Sequence, residues 1–375
     1  MEYKANAQRY NSMTYKKCGE SGLKLPAVSL GLWHNFGDNA DYENMCKMCY
    51  TAFTLIVNGG FVMQSIHNFV RRHHILGSII TVAVFWLVMI LASLSLAVVF
   101  PNLAQKESYV LQAMAELITA AAGFGLCALF GYFRIWRARG SGFGKGLIAG
   151  GYFIFISLYS LIIYAWELIA GSGIDYVAPA YEIFFFIVTM FLVGFTEEVF
   201  FRGIVANLFL DKLPRNKYGV WSAVIGSGMV FGLLHLGNAI GMTEVGGVLV
   251  QVFVASAMGM ALSAIYFRTR NIWSVIFIHA FVDFCALFIP TAFSTDSLAD
   301  TIGSYSAAQF IGFVPYIIVC LVLLRKSKMD IICPFPEPEM RALSEAAAKK
   351  TFKKYLGISI CIGIVIIAVY FLSAA

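Results

Sequence analysis

The sequence predicts an all-α, polytopic membrane protein of about eight to nine transmembrane helices, preceded by a short, non-autonomous N-terminal segment. Composition is the first reason: of 375 residues, 59% are hydrophobic and 13% charged, with a mean hydropathy of +0.77, a balance foreign to soluble globules. The second is a series of apolar runs, each near the ~20 residues that carry a helix across a bilayer. The third is the alternation of basic and non-basic loops between those runs. A net charge of +6 resting in short loops reports topology and argues against a nucleic-acid partner.

Residues 1–55 read differently from the rest. Cys18-Gly19-Glu20-Ser21-Gly22-Leu23-Lys24-Leu25-Pro26 predicts a short hairpin, and Ser29-Leu30-Gly31-Leu32-Trp33-His34-Asn35-Phe36-Gly37 a small strand and a turn. This stretch resembles the opening of an aldo-keto reductase, close to the branch that reduces glyceraldehyde phosphate, with Tyr42 to Phe53 as its first barrel helix. The resemblance stops before the strand that would carry that family's catalytic Asp and Tyr. One βα fragment closes no (β/α)₈ barrel and buries no core, so no reductase activity is expected. The pair Cys46 and Cys49 has C-x-x-C spacing, but no second pair or His completes a zinc site. A linker over 56–74 leads to the first span.

Nine apolar runs follow, at about 75–100, 109–135, 147–171, 181–210, 219–238, 245–267, 272–291, 306–325 and 356–373. The first eight make a membrane domain over 75–325; 326–375 is a basic segment with the last helix. Arg71 and Arg72, then Arg137, Arg139 and Lys145, then Lys212, Arg215 and Lys217, then Arg268 and Arg270 fall in every second loop, while the loops between carry Lys106 alone. The positive-inside rule therefore places the N-terminus in the cytoplasm of an integral, cell-membrane protein.

Charge inside these runs needs a reason, because ionisable side chains in lipid are costly and mark functional sites by default. Span four holds Glu197-Glu198-Val199-Phe200-Phe201-Arg202. Residues i and i+4 share a helix face, so Arg202 reaches Glu198 and leaves Glu197 turned elsewhere. Span five ends Phe231-Gly232-Leu233-Leu234-His235, and span seven holds His279 and Asp283 at i and i+4. At ~1.5 Å per residue from the basic loops, Glu197 lies ~21 Å deep, His235 ~24 Å and Asp283 ~18 Å, with His279 shallower at ~12 Å. Glu116 and Glu167 are the competing deep acids. Gly228 and Gly232 form a small-xxx-small pair leading into His235, and Ala255, Ser256, Gly259, Ala261 and Ser263 line span six; both suit ordinary close helix contact.

Taken together, E-E-x-x-x-R, F-x-x-x-H and H-x-x-x-D in that order resemble the three motifs of the CPBP intramembrane proteases, the CaaX-processing and bacteriocin-processing or Abi family. Asp283 departs from the Asn of the Ras-converting branch. The resemblance implies an intramembrane endopeptidase. Glu197 would be the general base, with His235 holding the attacking water, His279 oriented by Asp283 stabilising the oxyanion, and Glu198 with Arg202 supporting them. A zinc ion on Glu197, His235 and His279 is compatible with such residues, although a glutamate base requires no cofactor and the metal-free form is the first expectation. The implied partners are the lipid bilayer and a peptide or membrane-protein substrate: a prenylated tail, a pheromone, a bacteriocin leader. A non-catalytic immunity or binding protein of the same fold is the alternative, as is a proton-coupled transporter, which should show internal repeats.

Overall fold

The computed structural model describes residues 15–17, 24–26, 65–106, 108–136, 140–171, 176–213, 216–240, 245–294, 298–328, 332 and 345–373. The chain divides into two units, Met1–Phe69 and Val70–Ala375. In the first, β1 (Tyr15–Lys17) pairs antiparallel with β2 (Lys24–Pro26), Tyr15 opposite Pro26 and Lys17 opposite Lys24. The helix expected over Tyr42 to Phe53, the pair Cys46 and Cys49, and the loop residues Arg137, Arg139 and Arg215 lie outside the described residues.

The second unit is helical. Eight of its described helices are long and apolar enough to cross a membrane: α1 (His74–Val99), α2 (Tyr109–Leu129), α3 (Gly151–Ala170), α4 (Ala180–Lys212), α5 (Lys217–Ala239), α6 (Gly246–Thr269), α7 (Ile272–Phe293) and α9 (Ala346–Ser373). The run expected to be the eighth of nine spans is shorter. There a 3₁₀ turn, Ala307–Gly312, leads into Phe313–Leu323, and the combined α8 (Ala307–Leu323) falls below the length of the others. The third run also starts later than its hydropathy suggests. Gly150 breaks it, leaving a separate helix over Gly140–Ala149 before α3, since consecutive glycines give a helix no side-chain support.

Burial separates inner helices from outer ones. In α6, 78% of the most apolar window is buried, against 6% in α9 and 11% in α3, so the last two turn most of their surface to lipid. Inside, α4 packs between α2 and α7, α5 packs along α6, and α3 leans on α7. Small residues set two close approaches near the middle of the bundle. A Cβ on Gly232 would collide with Ser256 of α6, and one on Gly194 would meet the Ala280 main-chain nitrogen of α7 at 2.8 Å. Both contacts lie beside charged motifs.

The middle of α4 departs from α-helical winding. Val199–Val205 forms a π-helical turn, all seven residues buried, between α-helical stretches ending at Glu198 and resuming at Ala206. This turn touches α1, α2, α5, α6 and α7. Such a turn leaves carbonyls without their usual partners, and a buried carbonyl needs a donor. Asn207 supplies it, its amide nitrogen lying 3.0 Å from the Arg202 carbonyl, 2.9 Å from that of Gly203 and 3.1 Å from the Tyr266 hydroxyl.

Candidate active site

Glu197 and Glu198 close the α-helical part of α4, one step before the π-turn, and their side chains part company there. Glu198 is wholly buried; its Oε1 accepts from Arg202 Nη1 at 2.7 Å and lies 2.8 Å from His279 Nδ1. Arg202 is 1% exposed. Its second Nη donates to the Gly259 carbonyl of α6 at 3.2 Å, and its guanidinium sits 4.3 Å from the Phe231 ring centroid. A buried charge survives when it is paired and also hydrogen-bonded, and both conditions hold. The Glu198 carboxylate thereby ties α4 to α7, and Arg202 ties α4 to α6.

Glu197 faces the other way. It retains 14% side-chain exposure, and its Oε2 has no hydrogen-bond partner among the described residues. The nearest charged partner is His279 Nε2, 3.7 Å away, which also lies 3.5 Å from Asp283 Oδ2. His279 thus spans the site, Nδ1 on Glu198 and Nε2 between Glu197 and Asp283. Its orienting bond comes from Glu198, where the sequence suggested Asp283; the i, i+4 spacing brings Asp283 to the opposite ring nitrogen. The shallow depth expected of His279 is no obstacle either. The α6–α7 link is only Arg270 in a left-handed conformation followed by Asn271, whose side chain caps α7. The Gly194–Ala280 contact then sets α7 against α4 at the level of the two glutamates.

His235 stands where α5 changes from α-helix to the 3₁₀ turn His235–Ala239. Its Nδ1 lies 3.1 Å from the Phe231 carbonyl oxygen. A carbonyl only accepts, so Nδ1 carries the proton and Nε2 presents a lone pair. Phe231 is the partition between the imidazoles: its ring centroid is 5.1 Å from that of His235 and 5.7 Å from that of His279, both edge-on. Phe201 packs on it at 5.1 Å, and Phe85 packs in turn on Phe200 and Phe201. The aromatic residue of F-x-x-x-H therefore has a physical task, holding two rings and one guanidinium in fixed relation.

Of the competing acids, Glu167 is exposed on α3, whereas Glu116 is 6% exposed on α2. Thr196, the residue before Glu197, donates its hydroxyl to the Glu116 carbonyl at 3.3 Å. Sequence reasoning missed Thr196 and Asn207 as support for this region, neither of which has a charge to announce it. Among the described residues, no three or more His, Cys, Asp or Glu side chains are arranged to hold a metal ion. The set Glu197, His235 and His279 is thus not gathered as ligands.

This segment is also the part of the chain that matches a known family. Residues 179–285 match the family model Rce1-like, described as type II CAAX prenyl endopeptidase Rce1-like. Over that stretch the chain is similar to the Rce1-like family. The match runs from the start of α4 to the middle of α7, and so takes in Glu197, Glu198, Arg202, His235, His279 and Asp283 together. A short N-terminal stretch is separately similar to L-glyceraldehyde 3-phosphate reductase of Escherichia coli (strain K12) and of Escherichia coli O157:H7. Each is 51% identical over 55 residues, 15% of this chain and 16% of the reductase. No solved structure matches the chain.

Proposed function

We propose that this chain is an intramembrane endopeptidase that hydrolyses a peptide bond of a peptide or membrane-associated substrate with Glu197 as general base. The observation that supports this most is the difference within the glutamate pair: Glu198 is wholly buried and held through Oε1 by Arg202 and His279, its Oε2 bearing no bond, whereas Glu197 keeps 14% side-chain exposure and meets its nearest charged neighbour, His279 Nε2, only at 3.7 Å. A water held between Glu197 and His235 Nε2 loses a proton to Glu197 as its oxygen attacks the carbonyl carbon. His279, protonated on both nitrogens, donates to Glu198 through Nδ1 and to the developing oxyanion through Nε2, with Asp283 alongside. Glu197 then returns the proton to the leaving amine. The positive-inside pattern supports a cytoplasmic N-terminus in the cell membrane.

The test is a cleavage assay on the reconstituted full chain with candidate peptides, prenylated and unprenylated, comparing wild type with Glu197→Ala, His235→Ala and Glu198→Ala. Loss of cleavage in Glu197→Ala and His235→Ala with normal membrane insertion is expected. A protein that binds peptide and never cleaves it is instead an immunity or binding protein. Because the acid and imidazole groups do not form a ligand set, activity is expected to persist in millimolar chelator. Activity lost to chelator and restored by zinc would overturn the metal-free mechanism.

For the N-terminal unit we propose no reductase chemistry, since the similarity spans 16% of the reductase's length. Deleting residues 1–60 is expected to leave proteolysis within about twofold of the full chain, because that unit contributes no group to the proposed chemistry. A deletion that inserts normally yet loses activity would show a role in the reaction.

A further inference from the structure

We propose that a cavity at the start of α2 and α4 binds a cationic group of a peptide, a lysine or arginine side chain or a free amino terminus, on the Glu116 carboxylate. The setting of this subsite rests on the proteolytic reading above; its binding chemistry does not.

The cavity encloses about 830 Å³ and is lined by α1 (Met89, Ser93), α2 (Ser108, Gln112, Glu116) and the first turn of α4 (Glu182). Two acids line it, and they differ. Glu182 is fully committed: Oε1 accepts from the Ser108 hydroxyl at 2.6 Å and Oε2 from the Tyr109 main-chain N–H at 2.9 Å, pinning the N-terminus of α2 to α4. Glu116 lies deeper, 6% exposed, and its Oε2 has no hydrogen-bond partner among the described residues. Lys106 also lines the cavity, but at its exposed mouth. A carboxylate oxygen buried without a donor is costly, and an ammonium or guanidinium from a ligand satisfies it with a charge-assisted N–H bond.

The surroundings favour the same sign of ligand. Glu197 and Asp283 both lie near enough for their charges to act on or with Glu116, with His279 the one imidazole in that group. A cationic ligand favours the ionised form of these acids and is held by it, whereas an anionic one opposes it. Glu116 is also placed to matter for cleavage. Thr196 bonds its main-chain oxygen and directly precedes Glu197, so a basic side chain seated on Glu116 brings its own backbone alongside the proposed base. The subsite selects substrates with a basic residue close to the scissile bond.

Three fluorescent hexapeptides, alike except for a central Lys, Met or Glu, would be titrated against the full chain in nanodiscs of zwitterionic lipid, with empty nanodiscs as blank. The Lys peptide is expected to bind about tenfold tighter than the Met peptide, and the Glu peptide weakest. Glu116→Gln should erase the Lys advantage and leave Met-peptide binding unchanged. Equal binding of the three peptides, no binding by any, or a Lys advantage that survives in Glu116→Gln would overturn the proposal. Hydrolysis of the same peptides is read separately. Charge-selective binding without hydrolysis sinks the protease reading and keeps the subsite; hydrolysis without charge selectivity does the reverse.

Discussion

Glu197→Gln is expected to lower kcat/KM by about 10²–10⁴-fold, the usual contribution of a positioned general base, while leaving the amount of folded protein unchanged. The second half of that expectation follows from the geometry. Glu197 Oε2 has no hydrogen-bond partner to lose, and its nearest charged neighbour, His279 Nε2, is 3.7 Å away. Replacing the carboxylate by its isosteric amide removes a base and little else. Kinetics in nanodiscs alongside thermal unfolding of the same samples would check both parts. Wild-type activity in the variant would sink the mechanism, and loss of folded protein would show that Glu197 supports the fold.

The neighbouring position should behave in the opposite way. Arg202→Leu leaves the Glu198 carboxylate buried without its cation, and breaking such a pair typically costs about 3–5 kcal/mol. The expected result is poor recovery of folded protein. The double variant Glu198→Leu, Arg202→Leu removes both charges and should regain much of that loss, since an apolar pair of similar volume is often tolerated. It should nonetheless stay inactive, because His279 Nδ1 then loses the acceptor that lies 2.8 Å away and the ring is free to turn. Stability and cleavage measured over this double-mutant cycle separate the two roles. A double variant as unstable as Arg202→Leu would show that the pair is not the main support; full activity in it would show that Glu198 does not orient His279.

The Glu198–Arg202 pair follows from helical spacing alone, and the three polar motifs are visible because charge is rare in apolar runs. What the spacing of one helix cannot reveal is the rotation of the next. The Glu198–His279 bond depends on how α7 faces α4, which is set by the contact at Gly194 and the short link at Arg270. Depth counted along each helix placed His279 too shallow, because it assumes upright helices that start in one plane. Asn207 was invisible for another reason: its task exists only because α4 leaves α-helical winding at Val199. The count of spans was limited at 306–325 and near Gly150, where hydropathy does not register a 3₁₀ turn or a glycine break.

That departure in winding has a geometric consequence for the longest helix. A π-helical turn takes in more residues per revolution, so side chains beyond Ala206 are out of phase with those before Glu198. The rod Ala180–Lys212 therefore follows two helical wheels, joined in the bundle's interior. The upper wheel can meet α2 and α7 while the lower one meets α1 and α5, with no bend in the axis needed to serve both sets of neighbours. A single wheel drawn through all 33 residues would blur those two faces into one.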